Sequence, residues 1–124
     1  MALIRDRELS KDSWVYIEDG SPVPAEGGAI VSLERWSVER EFLSGRNAPI
    51  GVRIEADTPA DTLAKDIDRL DLIAVPFDQF KDGRGYSTAR LLRERFGFTG
   101  ELRAVGDILR DQLAFLERCG FDSF

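Results

Sequence analysis

The chain has 124 residues, of which 43% are hydrophobic and 32% charged, and this composition suits one compact domain with a single core. Seventeen Lys and Arg against twenty-three Asp and Glu leave a formal charge of -6, which argues against a partner that is duplex nucleic acid or an anionic membrane. The sequence contains no histidine, which excludes Ser-His-Asp and Cys-His catalysis, His-ligated haem and zinc sites that need His.

Cysteine usage narrows the redox chemistry further. The single cysteine, Cys119, cannot form an intrachain disulfide or supply the thiolates of an iron-sulfur cluster, and it suits a reducing cytosol.

The charged start from Ile4 to Glu8 contains no signal-peptide core. We therefore expect a cytoplasmic protein with no metal site and no haem, zinc or iron-sulfur cluster ligated by this chain alone, while a borrowed flavin stays open.

The first 28 residues differ from the rest. A β-prone run, Trp14 to Ile17, is followed by a turn-rich segment and the pair Gly27-Gly28. This pattern predicts an N-terminal strand or hairpin extension over residues 1–28, followed by a single α/β domain over residues 29–124.

From Ala29 onward, apolar stretches of strand length alternate with amphipathic stretches of helix length. The strand candidates are Ala29–Leu33, Ile50–Glu55, Leu72–Phe77, Leu102–Val105 and the terminal Phe121–Phe124. Leu72–Phe77 is almost continuously apolar, which predicts a place near the sheet centre.

Four helices are predicted between these strands. The first, over Val38–Leu43, is short. The second is capped by Thr58, with Pro59 in its first turn, and buries Leu63, Ile67 and Leu70 while Asp66 stays in water. The remaining two run from Ser87 to Phe96, with Arg93 turned outward, and from Asp107 to Cys119.

Strands that alternate with helices favour parallel pairing through right-handed crossovers. We predict an α/β fold with a mainly parallel sheet of four or five strands, either flavodoxin-like or like half of an eight-stranded barrel. An open sheet of this kind leaves edges that favour a homodimer, and the sequence does not separate the two architectures.

In parallel α/β domains ligands bind beyond the carboxyl ends of the strands, so the segment after Leu72–Phe77 is the first candidate site. Its glycines allow close backbone approach, its basic side chains attract anions, and the following helix N-terminus offers amide donors. The charge is also uneven, because residues 81–124 carry eight basic and seven acidic side chains, whereas residues 1–80 carry nine and sixteen. The candidate anion-binding residues are Lys81, Gly83, Arg84, Gly85, Ser87, Arg103 and Asp107.

Each of these candidates also has a plain structural interpretation. The glycines suit a tight turn in which Ser87 caps a helix, and Asp107 suits the N-cap of the last helix. Arg103 alternates with apolar neighbours on its strand, so it must reach solvent, a carboxylate or a ligand. For Cys119 we expect a packed thiol, because the partial negative charge of a helix C-terminus opposes thiolate formation. No catalytic residue is assigned.

Three phrases in the C-terminal half carry a family resemblance: Asp-Gly-Arg-Gly-Tyr-Ser from Asp82, Gly-Glu-Leu-Arg-Ala from Gly100, and Asp-Gln-Leu from Asp111. In that order and spacing the chain resembles a bacterial family of unknown function, number 934, closely over residues 72–124 and loosely from residue 29. Members of that family carry a description as oxidoreductases of sulfite reduction.

The resemblance implies an association with assimilatory sulfur metabolism, beside the sulfite reductase haemoprotein. Because the family brings no set of catalytic residues, we expect an accessory protein that docks to sulfite reductase or to its electron donor. The alternatives are a small oxidoreductase or anion- or nucleotide-binding enzyme with its site at the strand ends, and a catalytically silent homodimer.

Overall fold

A computed structural model describes residues 3–5, 8–10, 14–55, 58–77, 84–106 and 113–123 of the chain. The strands there are β1 (Leu3–Arg5), β2 (Glu8–Ser10), β3 (Trp14–Tyr16), β4 (Gly28–Ser32), β5 (Ile50–Arg53), β6 (Leu72–Phe77) and β7 (Glu101–Gly106). The helices are α1 (Leu33–Ser44), a 3-10 helix (Ala60–Asp66), α2 (Arg84–Glu94) and α3 (Leu113–Cys119).

The main sheet has five strands in the order β3-β4-β5-β6-β7, and every neighbouring pair is parallel. A flavodoxin-like sheet reverses its strand order at a switch point, whereas this order follows the chain without a reversal. The sheet curls as a half-barrel, so the α/β prediction is confirmed and the half-barrel is the correct one of its two alternatives. β6 is an internal strand between β5 and β7, as its apolar sequence predicts.

The segment before residue 28 contributes both a hairpin and a strand of the main sheet. β1 and β2 pair antiparallel with Ile4 opposite Leu9, in a hairpin that precedes the β-prone run from Trp14 to Ile17. β3 pairs in parallel with β4, and the adjoining Ile17 is buried in the core. The sheet therefore takes its first strand from the predicted extension.

Alternate residues of the strands face two different environments. On one face, Val31, Val52 and Ile73 pack with helical residues such as Trp36 of α1 and Leu92 of α2 in the large core cluster. The opposite face carries a smaller cluster of Ile30, Leu72 and Ala74, with Trp14 and Val105 packed against it.

Two glycines let large side chains lie close to the backbone on this second face. A Cβ at Gly28 would come 2.8 Å from the ring of Trp14, and a Cβ at Gly51 would come 3.0 Å from Cβ of Leu72. At these two places a bulky side chain of one strand packs over a glycine of its neighbour. Such pairing of large and small residues fills the inside of a curved sheet.

Helix α1 is longer than the predicted helix over Val38–Leu43. It begins after Ser32, whose hydroxyl accepts a hydrogen bond from the Arg35 N–H at 3.1 Å, and it bends at Glu39, whose φ and ψ are -110° and 21°. The periodicity signal is weak because the helix is apolar on two sides. Trp36 and Leu43 are buried, whereas Val38 and Phe42 face solvent.

The predicted α-helix after Thr58 is wrong in type, because residues 60–66 form a 3-10 helix. The Thr58 hydroxyl accepts a hydrogen bond from the Glu55 N–H at 3.0 Å rather than capping a helix. Asp66, predicted to stay in water, is only 3% exposed, and its Oδ1 lies 3.0 Å from Nε of Arg40. This ion pair joins the segment to α1, and Leu63 and Leu70 are buried as predicted.

Helix α2 begins at Arg84, three residues before the predicted start at Ser87, and Gly97 follows its end with a φ of +69°. Ala89 and Leu92 are buried as predicted. Arg93 was expected to face outward, and this is wrong, because its side chain is only 22% exposed.

The Arg93 guanidinium is the centre of a hydrogen-bond cluster. Its Nη1 donates to the carbonyl oxygens of Phe98 and Gly100, both at 2.8 Å, and its Nε donates to the carbonyl of Gly120 at 3.0 Å. Its Nη2 donates to the Asp122 carboxylate. One side chain of α2 thereby holds the turn before β7, the end of α3 and the C-terminal segment.

Asp122 also connects the C-terminal segment to the main sheet. Its Oδ2 accepts a hydrogen bond from the Leu102 N–H at 2.9 Å, and its own N–H donates to the Leu102 carbonyl at 2.8 Å. Ser123 then pairs in parallel with Arg103 in an isolated bridge. In the described part of the predicted terminal strand Phe121–Phe124, residues 121–123, the pairing with β7 is a single bridge, and Phe124 lies outside the described residues.

Arg93→Lys should destabilise the protein by roughly 2–4 kcal/mol, because an ammonium cannot reach four separate acceptors and at least one of them loses its donor. Urea unfolding followed by circular dichroism measures the change. The matched control is Arg90→Lys on the same helix, whose exposed side chain lies 3.9 Å from Glu94 and whose replacement should cost less than about 0.5 kcal/mol. Equal unfolding midpoints for the two variants would contradict the role of Arg93.

Candidate functional site

The carboxyl ends of β6 and β7 lie side by side, since Phe77 pairs with Gly106 at the last position of each strand. The two connections predicted to hold the site therefore start from adjacent points of the sheet edge. Lys81, Gly83 and Asp107 lie outside the described residues. Their position in the anion-binding site therefore stays a prediction.

The described part of the first connection is the start of α2. Arg84 and Gly85 are the first described residues of that helix, and the leading backbone N–H groups of any helix have no acceptor within it. Ser87 is exposed and is the fourth residue of the helix, so it is not the N-cap. An anion at this turn would meet amide donors and the positive end of the helix dipole, as the predicted cradle requires.

Gly106 fixes how the second connection leaves the sheet. Its φ is +96°, and a Cβ at this position would lie 2.2 Å from the carbonyl oxygen of Phe77. Only glycine adopts this backbone so close to the neighbouring strand. A side chain at the last position of β7 would therefore clash with the end of β6.

Arg103 lies inside β7 and reaches a carboxylate, one of its three predicted destinations. Its Nη2 lies 3.0 Å from Oε2 of Glu101, and its Nε donates to the Ser123 hydroxyl at 3.3 Å. The Ser123 hydroxyl in turn donates to the same Glu101 oxygen at 2.6 Å. All three residues are buried, with 5% of Arg103 and none of Ser123 exposed.

This buried trio is held by long-range contacts. Ser123 lies at the far end of the chain and arrives beside Glu101 only because the C-terminal segment pairs with β7. Removing Arg103 or Glu101 would leave the other as a buried charge without its ion-pair partner, which costs several kcal/mol. An anion that binds Arg103 would compete with Glu101, and the predicted anion-binding role of Arg103 stays a prediction.

Cys119 is a packed thiol, in agreement with the sequence. It is 5% exposed and belongs to the core beside Leu116 and Phe121. Burial raises the pKa of the thiol above its ordinary value of 9.0, and the nearby Arg90 only partly opposes this. Such a thiol is protonated at neutral pH and is a poor nucleophile.

A cavity that the sequence does not predict lies beyond the carboxyl ends of β3 and β4, across the sheet from β6 and β7, between the β3–β4 connection and the start of α1. It measures about 460 Å³, and its lining includes Asp19, Pro22, Glu34, Arg35 and Val38. The lining comes from a turn-rich loop and a helix with two apolar sides, neither of which has a periodic signature. The one sequence feature that could have indicated a surface here is the pair of apolar residues Val38 and Phe42, which lie four residues apart among charged neighbours.

The walls of this cavity are tied together by side-chain hydrogen bonds. The Ser32 hydroxyl donates to Oδ1 of Asp19 at 2.7 Å, and Nη1 of Arg35 donates to the carbonyl of Glu18 at 3.1 Å. Farther along, Arg46 donates to the carbonyl oxygens of Pro24, at 3.0 Å, and Gly27, at 2.9 Å. The loop is thus attached to the α1 region at both ends.

Within the described ranges, no group of three or more Cys, Asp and Glu side chains has an arrangement that could hold a metal ion. Among the same residues, no helix has the length and apolar character needed to cross a membrane.

Comparison with known proteins finds one family. The family model for bacterial proteins of unknown function (DUF934) matches residues 51–124, which span β5 to the C-terminal bridge and include Arg93, Arg103 and Cys119. No curated protein and no solved structure matches the chain.

The raised pKa of Cys119 predicts a change of stability with pH. The folded state holds the thiol proton more tightly than the unfolded state, so this contribution is present below pH 9.0 and is lost as the pH rises through the folded pKa. The unfolding free energy of the wild type should therefore fall more steeply above pH 9.0 than that of Cys119→Ala. Urea titrations across this range measure both slopes, and parallel slopes would contradict the prediction.

Proposed function

Since the chain belongs to this family of bacterial proteins of unknown function (DUF934), we propose that it is an accessory protein of assimilatory sulfite reduction. It acts in the cytoplasm by docking to the sulfite reductase haemoprotein or to its electron donor. The observation that carries the proposal is the family membership over residues 51–124. The association with sulfite reduction is what the resemblance of the C-terminal phrases implies.

The chemistry of the described side chains supports docking over catalysis by this chain. The sequence offers no histidine, and its one cysteine is buried with a raised pKa. The buried carboxylates of Asp66 and Glu101 are paired with Arg40 and Arg103. These groups stabilise the fold, and none of them is a free general acid or base at a solvent-accessible site.

The distribution of charge supports an electrostatic contribution to docking. Residues 1–80 carry sixteen acidic and nine basic side chains, whereas residues 81–124 are close to balanced. Such an asymmetric surface steers a partner of opposite charge and orients it on contact.

The protein should form a complex with the purified sulfite reductase haemoprotein or with its electron donor at micromolar concentration. Because exposed charges are screened by salt, the affinity should fall about tenfold between roughly 50 mM and 500 mM NaCl. Sedimentation velocity of each protein alone and of the mixtures measures the association. If the protein sediments separately from both candidates at low salt, the proposed function is wrong.

A further inference from the structure

The outer side of α1 exposes two large apolar side chains that make little contact with the rest of the protein. Val38 is 84% exposed and Phe42 is 66% exposed, and they lie one helical turn apart. A helix that packs on a core needs one apolar side, and α1 already provides it with Trp36 and Leu43. This second apolar pair does not pack on the core, and large apolar side chains left exposed in this way suit contact with a partner.

The cavity at the start of α1 extends this apolar stripe into a depression. Val38 and Pro22 are part of its lining, together with the carboxylate-bearing residues Asp19, Glu34 and Glu39. An apolar side chain of a partner fits such a depression, while Phe42 packs beside it on the next turn. The apolar centre with a polar rim is the usual arrangement of a protein interface.

The rim is acidic. Three carboxylates stand against one guanidinium, that of Arg35, which is only 12% exposed and donates to Oε2 of Glu39 at 2.9 Å. One more acidic side chain, that of Glu41, is 87% exposed on the same helix and pairs with Arg69 at 3.2 Å. A partner that carries Lys or Arg around an apolar protrusion is complementary to this surface.

Charge also decides against a second copy of the chain as the symmetric occupant. A two-fold interface brings the same patch of each copy together, so the acidic rim would face itself. The repulsion would oppose the apolar contact, whereas a basic partner gains from both.

The surface is already organised for binding. Ser32 and Arg35 tie the cavity wall to Asp19 and Glu18, and Arg46 holds the far end of the same loop. A partner that binds a wall held in this way does not have to order it, which reduces the entropic cost of association.

We propose that the outer side of α1, with Val38 and Phe42 at its centre and Asp19, Glu34 and Glu39 around the adjoining cavity, is the docking surface for a basic protein partner with an apolar protrusion. The inference rests on the proposed function for the identity of that partner, which is sulfite reductase or its electron donor. It adds where on this chain the partner binds.

The test measures affinity for the purified haemoprotein and for the electron donor by calorimetry at low salt, with the full chain in every case. Val38→Ala with Phe42→Ala removes the apolar contact, and alanine retains the helix. This double variant should bind at least tenfold more weakly. Glu34→Gln, which removes one rim charge, should bind about threefold more weakly and should lose part of the salt dependence.

The matched controls lie on α2, in the segment whose basic and acidic side chains are nearly balanced. Leu91→Ala removes an apolar side chain that is 41% exposed on α2, and Glu94→Gln removes an exposed carboxylate from the same helix. Both should bind within twofold of the wild type. Thermal unfolding of every variant confirms that the fold is retained.

The outcomes separate the two proposals. If the wild type binds and the α1 double variant binds equally well, the docking surface is wrong while the proposed function stands. If the wild type binds neither protein, the proposed function and the docking surface fail together. If the wild type instead self-associates and the double variant does not, the occupant is a second copy and the basic partner is wrong.

Discussion

The position of Arg93 controls the C-terminal half of the molecule. Its guanidinium binds the carbonyl oxygens of Phe98, Gly100 and Gly120 and the carboxylate of Asp122, which belong to two separate stretches of the chain. An arginine suits this place because its planar group presents donors in several fixed directions. Without it, these carbonyl groups would need water or other donors in a half-buried place.

The buried trio depends on the same interaction. Asp122 is held by Arg93 and by the Leu102 N–H, and this places Ser123 next to Glu101 and Arg103. The inside of β7 can therefore contain a buried ion pair, because the C-terminal segment completes its hydrogen bonds. The edge of the sheet that would follow β7 is at the same time partly occupied, which reduces its tendency to pair with another chain.

The two edges of the sheet differ in character. In β7 the buried polar side chains Glu101 and Arg103 pair with each other and with Ser123. Beside β3 and β4, helix α1 presents Val38 and Phe42 to solvent next to an acidic cavity. We therefore place the docking surface on α1, although the sequence predicts an anion-binding site beyond the carboxyl ends of β6 and β7.

The strands of the half-barrel could be predicted because each is a short apolar run between turn residues, and β6 matches its predicted bounds. The strand order could not, because periodicity does not encode which strands are neighbours. α1 was predicted at half its length, since apolar residues on two sides cancel the helical pattern. The roles of Arg93 and Asp66 were missed because their partners are distant in sequence, and backbone carbonyl oxygens leave no mark in a sequence.

The candidate site shows the same division. The alternation of Arg103 on its strand predicts that it reaches solvent, a carboxylate or a ligand, but not which of them. Its partner Ser123 depends on the parallel bridge at the C-terminus. The cavity beside α1 could not be predicted, because its walls come from a loop whose shape is set by Arg35 and Arg46.

Amide hydrogen exchange of the protein, alone and saturated with the sulfite reductase haemoprotein or its electron donor, tests the docking surface most directly. We expect slower exchange across α1 and in the loop over residues 17–27, with no change in α2 and α3. Slower exchange confined to α2, α3 or the ends of β6 and β7, with α1 unchanged, would contradict it.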